Sequence, residues 1–147
     1  MAEGKYSRYV RQDSIVFSVF KEVPAPQFQI LGERHLEDAP LTLGWSFLTE
    51  PLLMIPKSHK HDYNQIICFI GGDPYDIRKF DAVVEFSLGE EEEVQIIDST
   101  SFVWIPAGLA HGPLNIKTLN KPIGFMDIVM QSTQAGVGQK FPPIEEQ

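Results

Sequence analysis

The sequence predicts an all-β chain folded as an antiparallel barrel or jelly roll. Three observations carry this expectation. About nine or ten short segments either alternate apolar and polar residues or are rich in Val, Ile and Phe. The 147 residues include 11 glycines and 11 prolines, enough turn formers to separate that many strands. No stretch sustains the 3.6-residue periodicity of a long amphipathic helix.

Taken in order, residues 1–13 are polar, carry Tyr6 and Tyr9, and read as a short helix or an arm. Residues 14–20 alternate and read as a strand, before Pro24 and Pro26 interrupt the chain. Residues 28–31 are a short strand ending at Gly32. Residues 33–38 set His35 among charged residues and read as a solvated turn. Residues 41–49 alternate around Trp45 and Phe47, and Glu50-Pro51 redirects the chain into the apolar residues 52–55. Residues 65–70 form a strand closed by Gly71-Gly72-Asp73-Pro74, and residues 75–80 read as a helical turn or loop.

Residues 82–88 are a strand with Val84, Phe86 and Leu88 on one face and Val83, Glu85 and Ser87 on the other; either face can point inward. Gly89 and the run Glu90, Glu91, Glu92 and Glu93 read as a solvated hairpin tip. Strands follow at 94–97 and 102–105, then a turn at Pro106 and Gly108, a segment opening at His111, and a long apolar strand at 122–130. Residues 131–147 are a polar tail rich in Gly and Pro. No repeat and no linker divides the chain, so residues 1–147 read as one domain with an N-terminal arm and a C-terminal tail.

The net charge is −8 and the pI about 4.9. An acidic surface argues against nucleic acid, whose phosphates need basic partners, and against anionic membranes. The single cysteine, Cys68, allows no internal disulfide and reads as a small buried hydrophobe within an apolar run. Charged residues from Glu3 to Arg11 break any apolar leader, and no apolar run reaches the length of a membrane span. The reading is a soluble, cytoplasmic protein whose partner is a small molecule.

Three of the four histidines fall in two stretches. His59 and His61 are two residues apart, so on an extended chain both imidazoles project from one face. Gln65 keeps the same parity and can offer an amide oxygen as a fourth ligand. His111 follows the Pro106–Gly108 turn and can bring a third imidazole from a distant strand. Imidazole is the commonest protein ligand for transition metals. Gln65 either ligates the metal or donates a hydrogen bond beside a three-histidine site.

On these residues the chain resembles the cupin superfamily. His59-x-His61, three residues, Gln65, six residues and Gly72 follow the first cupin motif, with Gln65 where the family has a ligand Glu. Pro106-x-Gly108, two residues, His111, three residues and Asn115 follow the second. Leu53 and Thr100 stand where the motifs begin with Gly. The resemblance implies a double-stranded β-helix, or jelly-roll barrel, and one divalent transition metal (Fe, Mn, Zn or Ni) held by His59, His61, Gln65 and His111. In that frame Asn115 has a structural role. Cupins often dimerise, and the apolar residues 14–20 offer a segment that can pair across an interface.

Three neutral imidazoles and a neutral amide leave a divalent metal at a formal charge of +2, which favours anionic chelating ligands. Replacing Gln65 by Glu is then expected to tighten the metal. Acid–base candidates are Glu85, Glu50, Tyr63 and Asp127. Pocket-lining candidates are Phe47, Met54, Phe69, Trp104 and Met126, each equally readable as barrel core. Three function classes follow: a metal-dependent dioxygenase acting on a small chelating or anionic metabolite, a metal-dependent isomerase, epimerase or lyase, and a non-catalytic small-molecule-binding cupin.

Overall fold

The computed structural model describes residues 4–35 and 40–131. After a single 3-10 turn at Ser7–Tyr9, ten strands account for nearly all regular structure: β1 (Ile15–Val16), β2 (Gln27–Leu31), β3 (Thr42–Leu48), β4 (Leu52–Ile55), β5 (Gln65–Gly71), β6 (Ala82–Leu88), β7 (Glu93–Ile97), β8 (Ser101–Ile105), β9 (His111–Leu119) and β10 (Ile123–Val129). One four-residue helix, α1 (Gly32–His35), leaves β2. Two antiparallel sheets result, one ordered β1-β2-β3-β10-β5-β8 and the other β4-β9-β6-β7. Strands distant in sequence lie side by side in both, the long-range crossing of a jelly roll. No described helix is long and apolar enough to cross a membrane.

The core lies between the sheets. Leu48, Phe69, Val84, Phe86, Leu114 and Ile116 are fully buried there, each contributing roughly 1.5–3 kcal/mol by leaving water. Strand β6 resolves its own ambiguity: Ala82, Val84 and Phe86 take the inside, and Glu85 is left outside beside Lys117, Nζ to Oε2 3.2 Å.

Two strands of the six-stranded sheet are patterned against the usual rule. On β2 and β3 the buried positions are Gln27, Gln29, Thr42 and Ser46 together with Leu31 and Leu48, while Phe28, Ile30, Leu43, Trp45 and Phe47 face outward. The register extends this outer face across the sheet. Phe28, Trp45, Met126, Cys68 and Phe102 form one row of directly opposed residues. Ile30, Leu43, Ile128, Ile66 and Trp104 form the next.

Two expectations are corrected here. Residues 14–20 do not form a full strand: only Ile15 and Val16 pair with β2. Beyond them the Ser18 hydroxyl accepts the Phe20 N–H at 2.9 Å and turns the chain off the sheet edge, leaving Phe17 and Val19 exposed. His35 is not a solvated turn residue. It ends α1 half-buried, with Nδ1 accepting the Leu31 N–H at 3.0 Å. The expected tail lies outside the described residues except for Gln131, whose carbonyl accepts the Thr42 hydroxyl at 3.0 Å.

Candidate metal centre

The two histidine stretches are bolted together by backbone. His59 N–H donates to the His111 carbonyl at 3.0 Å and His111 N–H returns to the His59 carbonyl at 2.8 Å, an isolated antiparallel bridge beyond the β4–β9 ladder. Gly108 N–H donates to the His61 carbonyl at 2.7 Å, and Ala107 N–H to Asn64 Oδ1 at 2.9 Å. The turn residues of the second stretch therefore hold the first in place.

Gly112 makes the approach possible. Its φ is +111°, a backbone region that side chains disfavour, and a Cβ there would stand 2.7 Å from the Lys57 carbonyl oxygen. Only glycine lets the chain after His111 pass this close to the loop carrying His59. Asn115 lies further along β9, opposite Leu53 and Glu85.

The bridge collects three imidazoles. One ring nitrogen from each of His59, His61 and His111 lies within 4.8 Å of the others, and the ring centroids are 4.4–5.2 Å apart. His111 is fully buried, His61 is 9% exposed, and His59 is half-buried, so the cluster opens on the His59 side. His111 Nδ1 lies 3.0 Å from the Leu109 carbonyl oxygen and His59 Nδ1 lies 3.3 Å from that of Lys57. A carbonyl can only accept, so each Nδ1 carries the proton and each Nε2 presents a lone pair.

The fit to a metal can be tested on the polar atoms themselves. His59 Nε2, His61 Nε2, His111 Nε2 and Gln65 Oε1 are buried and make no hydrogen bond. Burying an unsatisfied polar atom costs on the order of 1–3 kcal/mol, so these four need an explanation. A divalent cation supplies one, since three imidazole nitrogens and an amide oxygen are all lone-pair donors to a transition metal.

Gln65 opens β5 and is fully buried. Its Nε2 donates to Asp127 Oδ1 at 2.6 Å. This settles which way the amide points, because the reversed amide would press its oxygen against a carboxylate. Asp127 is also buried, on β10 between Gly44 and Ile67. The expectation of a site neutral apart from its metal is thereby revised: a carboxylate lies one hydrogen bond behind Gln65.

Tyr63 is buried and stacks on His61, centroids 4.6 Å apart and planes at 8°. Burial and then the negative charges of Asp127 and Asp62 push its phenol well above the usual tyrosine range, so the hydroxyl keeps its proton. Burial and Asp127 push the Cys68 thiol up in the same way, making it a poor nucleophile.

The other candidates separate clearly. Glu85 is on the outer face with Lys117, and Glu50 is exposed at the bend between β3 and β4. Neither joins the histidines, which corrects their reading as acid–base groups. Met54 and Phe69 belong to the packed core. Phe47, Trp104 and Met126 lie on the outer face of the six-stranded sheet, which corrects their reading as pocket wall. Sequence reasoning missed the polar buried face that β2 and β3 place next to Asp127: Gln29 pairs with Gly44, and Gly44 with Asp127. The signal was present as Gln27 and Gln29 at alternate positions, and as Thr42 and Ser46 on either side of Gly44.

No family model and no curated protein matches the sequence. Solved structures do match in fold. A variant of oxalate decarboxylase from Bacillus subtilis is 14% identical, with a TM-score of 0.54 over 86% of this chain and 30% of that one. This chain thus spans less than a third of that protein. KdgF from Halomonas sp. is 9% identical, with a TM-score of 0.51 over 84% of this chain and 92% of that one. A cupin protein from Bacteroides fragilis is 14% identical, with a TM-score of 0.47 over 79% of this chain and 82% of that one.

Proposed function

We propose that this chain, which shares its fold with oxalate decarboxylase and KdgF, is a cupin and a small metal-dependent enzyme, dioxygenase-like in its chemistry, acting on a chelating, anionic metabolite. The observation that carries the reading is the set of four buried lone-pair atoms on His59, His61, His111 and Gln65. These residues would hold one divalent transition metal. When bound, such an ion supplies Lewis acidity and, where it is redox-active, electrons for oxygen chemistry.

The chain's own residues do the rest. The backbone bridge between His59 and His111 fixes two rings before any ligand arrives, so little ordering remains to be done on binding. Gln65 offers a neutral oxygen and leaves the charge with Asp127, outside the donor set. A substrate with two negatively charged oxygens then meets less repulsion than it would from a carboxylate ligand. His59 marks the open side by which a small molecule enters. Gln29 and Ser46, on the buried face beside Asp127, favour a polar substrate over an apolar one.

Among the described residues Glu50 and Glu85 lie away from the cluster and Asp127 is engaged with Gln65, which favours oxygen chemistry over isomerisation. A second reading, metal-dependent isomerase or lyase, is favoured by one observation only: the Tyr63 hydroxyl, protonated and one ring from His61. Oxygen uptake by the metal-loaded protein, screened against small dicarboxylates and enolisable diketones, tests the proposal. Substrate-dependent uptake that disappears in His111→Ala is the expected result. Turnover of the same compounds without oxygen consumption would replace it by the second reading.

A further inference from the structure

An open-sided cavity of about 600 Å³ lies where β5 ends and β10 begins, walled by Pro74, Lys79, Phe80, Asp81, Lys121 and Pro122. We propose that it binds a small carboxylate carried on a flat, ring-shaped apolar body, at a site separate from the metal centre.

Strand β5 starts at Gln65 beside the histidines and ends at Gly71. At ~3.3 Å per residue, its far end stands about 20 Å from them. There Gly71 pairs with Ile123, so the loop after β5 meets the residues that lead into β10. Two glycines let the backbones close in. A Cβ on Gly71 would run into the Lys79 carbonyl oxygen, and one on Gly72 into that of Pro122. The Thr100 hydroxyl pins the loop, donating to the Ile77 carbonyl at 2.6 Å and accepting the Gly71 N–H at 2.9 Å. Asn120 clamps the opposite wall: its N–H donates to the Asp81 carbonyl and its Nδ2 to Asp81 Oδ1, each at 2.9 Å. Walls fixed in this way leave little ordering to be done when a ligand binds.

The charges around the cavity select the ligand. Lys79 is engaged by Asp73, Nζ to Oδ2 3.5 Å. Lys121 makes no ion pair among the described residues, so it is the cation left to meet an anion. Asp81 repels a carboxylate from its own wall and so directs it towards Lys121. Pro74, Phe80 and Pro122 supply rings with few rotatable bonds, which cost little entropy to cover. Phe80 is half-buried and packs on the core, which holds its ring in place. Flat apolar walls with one charged group match a ring bearing one carboxylate. The volume falls within the roughly 300–1,000 Å³ of small-molecule sites.

The test titrates the ¹⁵N-labelled full chain with benzoate and follows the amide signals of Gly72, Phe80 and Lys121. Acetate, which lacks the ring, and benzylamine, which reverses the charge, are the comparison ligands. Saturable shifts at these three amides are expected, with a midpoint below ~10 mM. Acetate and benzylamine should bind at least about tenfold more weakly. Lys121 is exposed, so its replacement leaves the fold intact. Lys121→Ala should weaken benzoate at least about tenfold, and Lys121→Arg should keep it within about threefold. No saturable shift at these amides overturns the proposal. So does equal affinity in Lys121→Ala, or acetate or benzylamine binding as well as benzoate. Shifts confined to residues around His111 place the carboxylate at the metal centre instead, which overturns this site and leaves the metal reading standing.

Discussion

The amide of Gln65 donates to Asp127 Oδ1 at 2.6 Å, and both side chains are buried. The charge that a glutamate ligand would carry is therefore displaced by one hydrogen bond rather than removed. This changes the consequence of the obvious substitution. Gln65→Glu sets two carboxylates against each other away from water, and one must take up a proton or move aside. We expect Gln65→Glu to bind metal no tighter than wild type, and about tenfold weaker where Asp127 keeps its charge. Gln65→Glu combined with Asp127→Asn exchanges donor and acceptor and restores one hydrogen bond and one charge. That double variant should recover wild-type affinity or better, as measured by competition with a coloured chelator. Tighter binding in Gln65→Glu alone would show that Asp127 does not govern the site.

Asp127 also holds the amide in place. Asp127→Ala leaves Gln65 Nε2 buried without its acceptor, at a cost of ~1–3 kcal/mol in urea unfolding. Metal affinity should fall by roughly 10–100-fold, the usual effect of losing a group that orients a ligand. Lost stability with unchanged affinity would mean that Gln65 is not a ligand.

Gly112 permits the approach of the two histidine stretches. Gly112→Ala places a Cβ 2.7 Å from the Lys57 carbonyl oxygen at a φ of +111°. A loss of ~1–3 kcal/mol is expected from the backbone conformation alone. Separating His59 from His111 should lower metal affinity as well. Full stability and full affinity in this variant would remove the bridge from the account.

Tyr63→Phe keeps the ring that stacks on His61 and deletes only the hydroxyl. Metal content should stay at the wild-type level. If oxygen chemistry is the reaction, kcat should change by less than about tenfold. A loss of 10²-fold or more, the range for a positioned proton donor, would favour the isomerase or lyase reading.

Much of this was legible in the sequence, and the failures share a cause. The strand boundaries at 82–88, 65–70 and 102–105 came from local alternation and turn residues, and the structure keeps them within one residue. The histidine cluster was legible because His59 and His61 share a face by parity and the Pro106–Gly108 turn announces His111. Which face of a strand points inward was not local information. Val84 and Phe86 took the inside as hydrophobicity suggests, but β2 and β3 bury Gln27, Gln29, Thr42 and Ser46 beside Leu31 and Leu48 and turn Phe28, Trp45 and Phe47 outward. The misplacement of Phe47 follows from that inversion, whereas Trp104 and Met126 lie on strands apolar on both faces, where alternation chooses no side. The Gln65–Asp127 pair depends on β5 lying beside β10, which are 62 residues apart at the bonded positions. No spacing rule reaches that far.

The central claim is that His59, His61 and His111 gather one metal ion. The most direct measurement is metal content per chain by elemental analysis of protein purified without added metal, for wild type, His59→Ala and His61→Ala. His59 is half-buried, so its replacement should leave the fold intact, which circular dichroism checks. The account predicts close to one transition-metal ion per wild-type chain and less than a tenth of that in either variant. Equal content in all three folded proteins, or a folded wild type that takes up no transition metal even when supplied with it, would contradict the account.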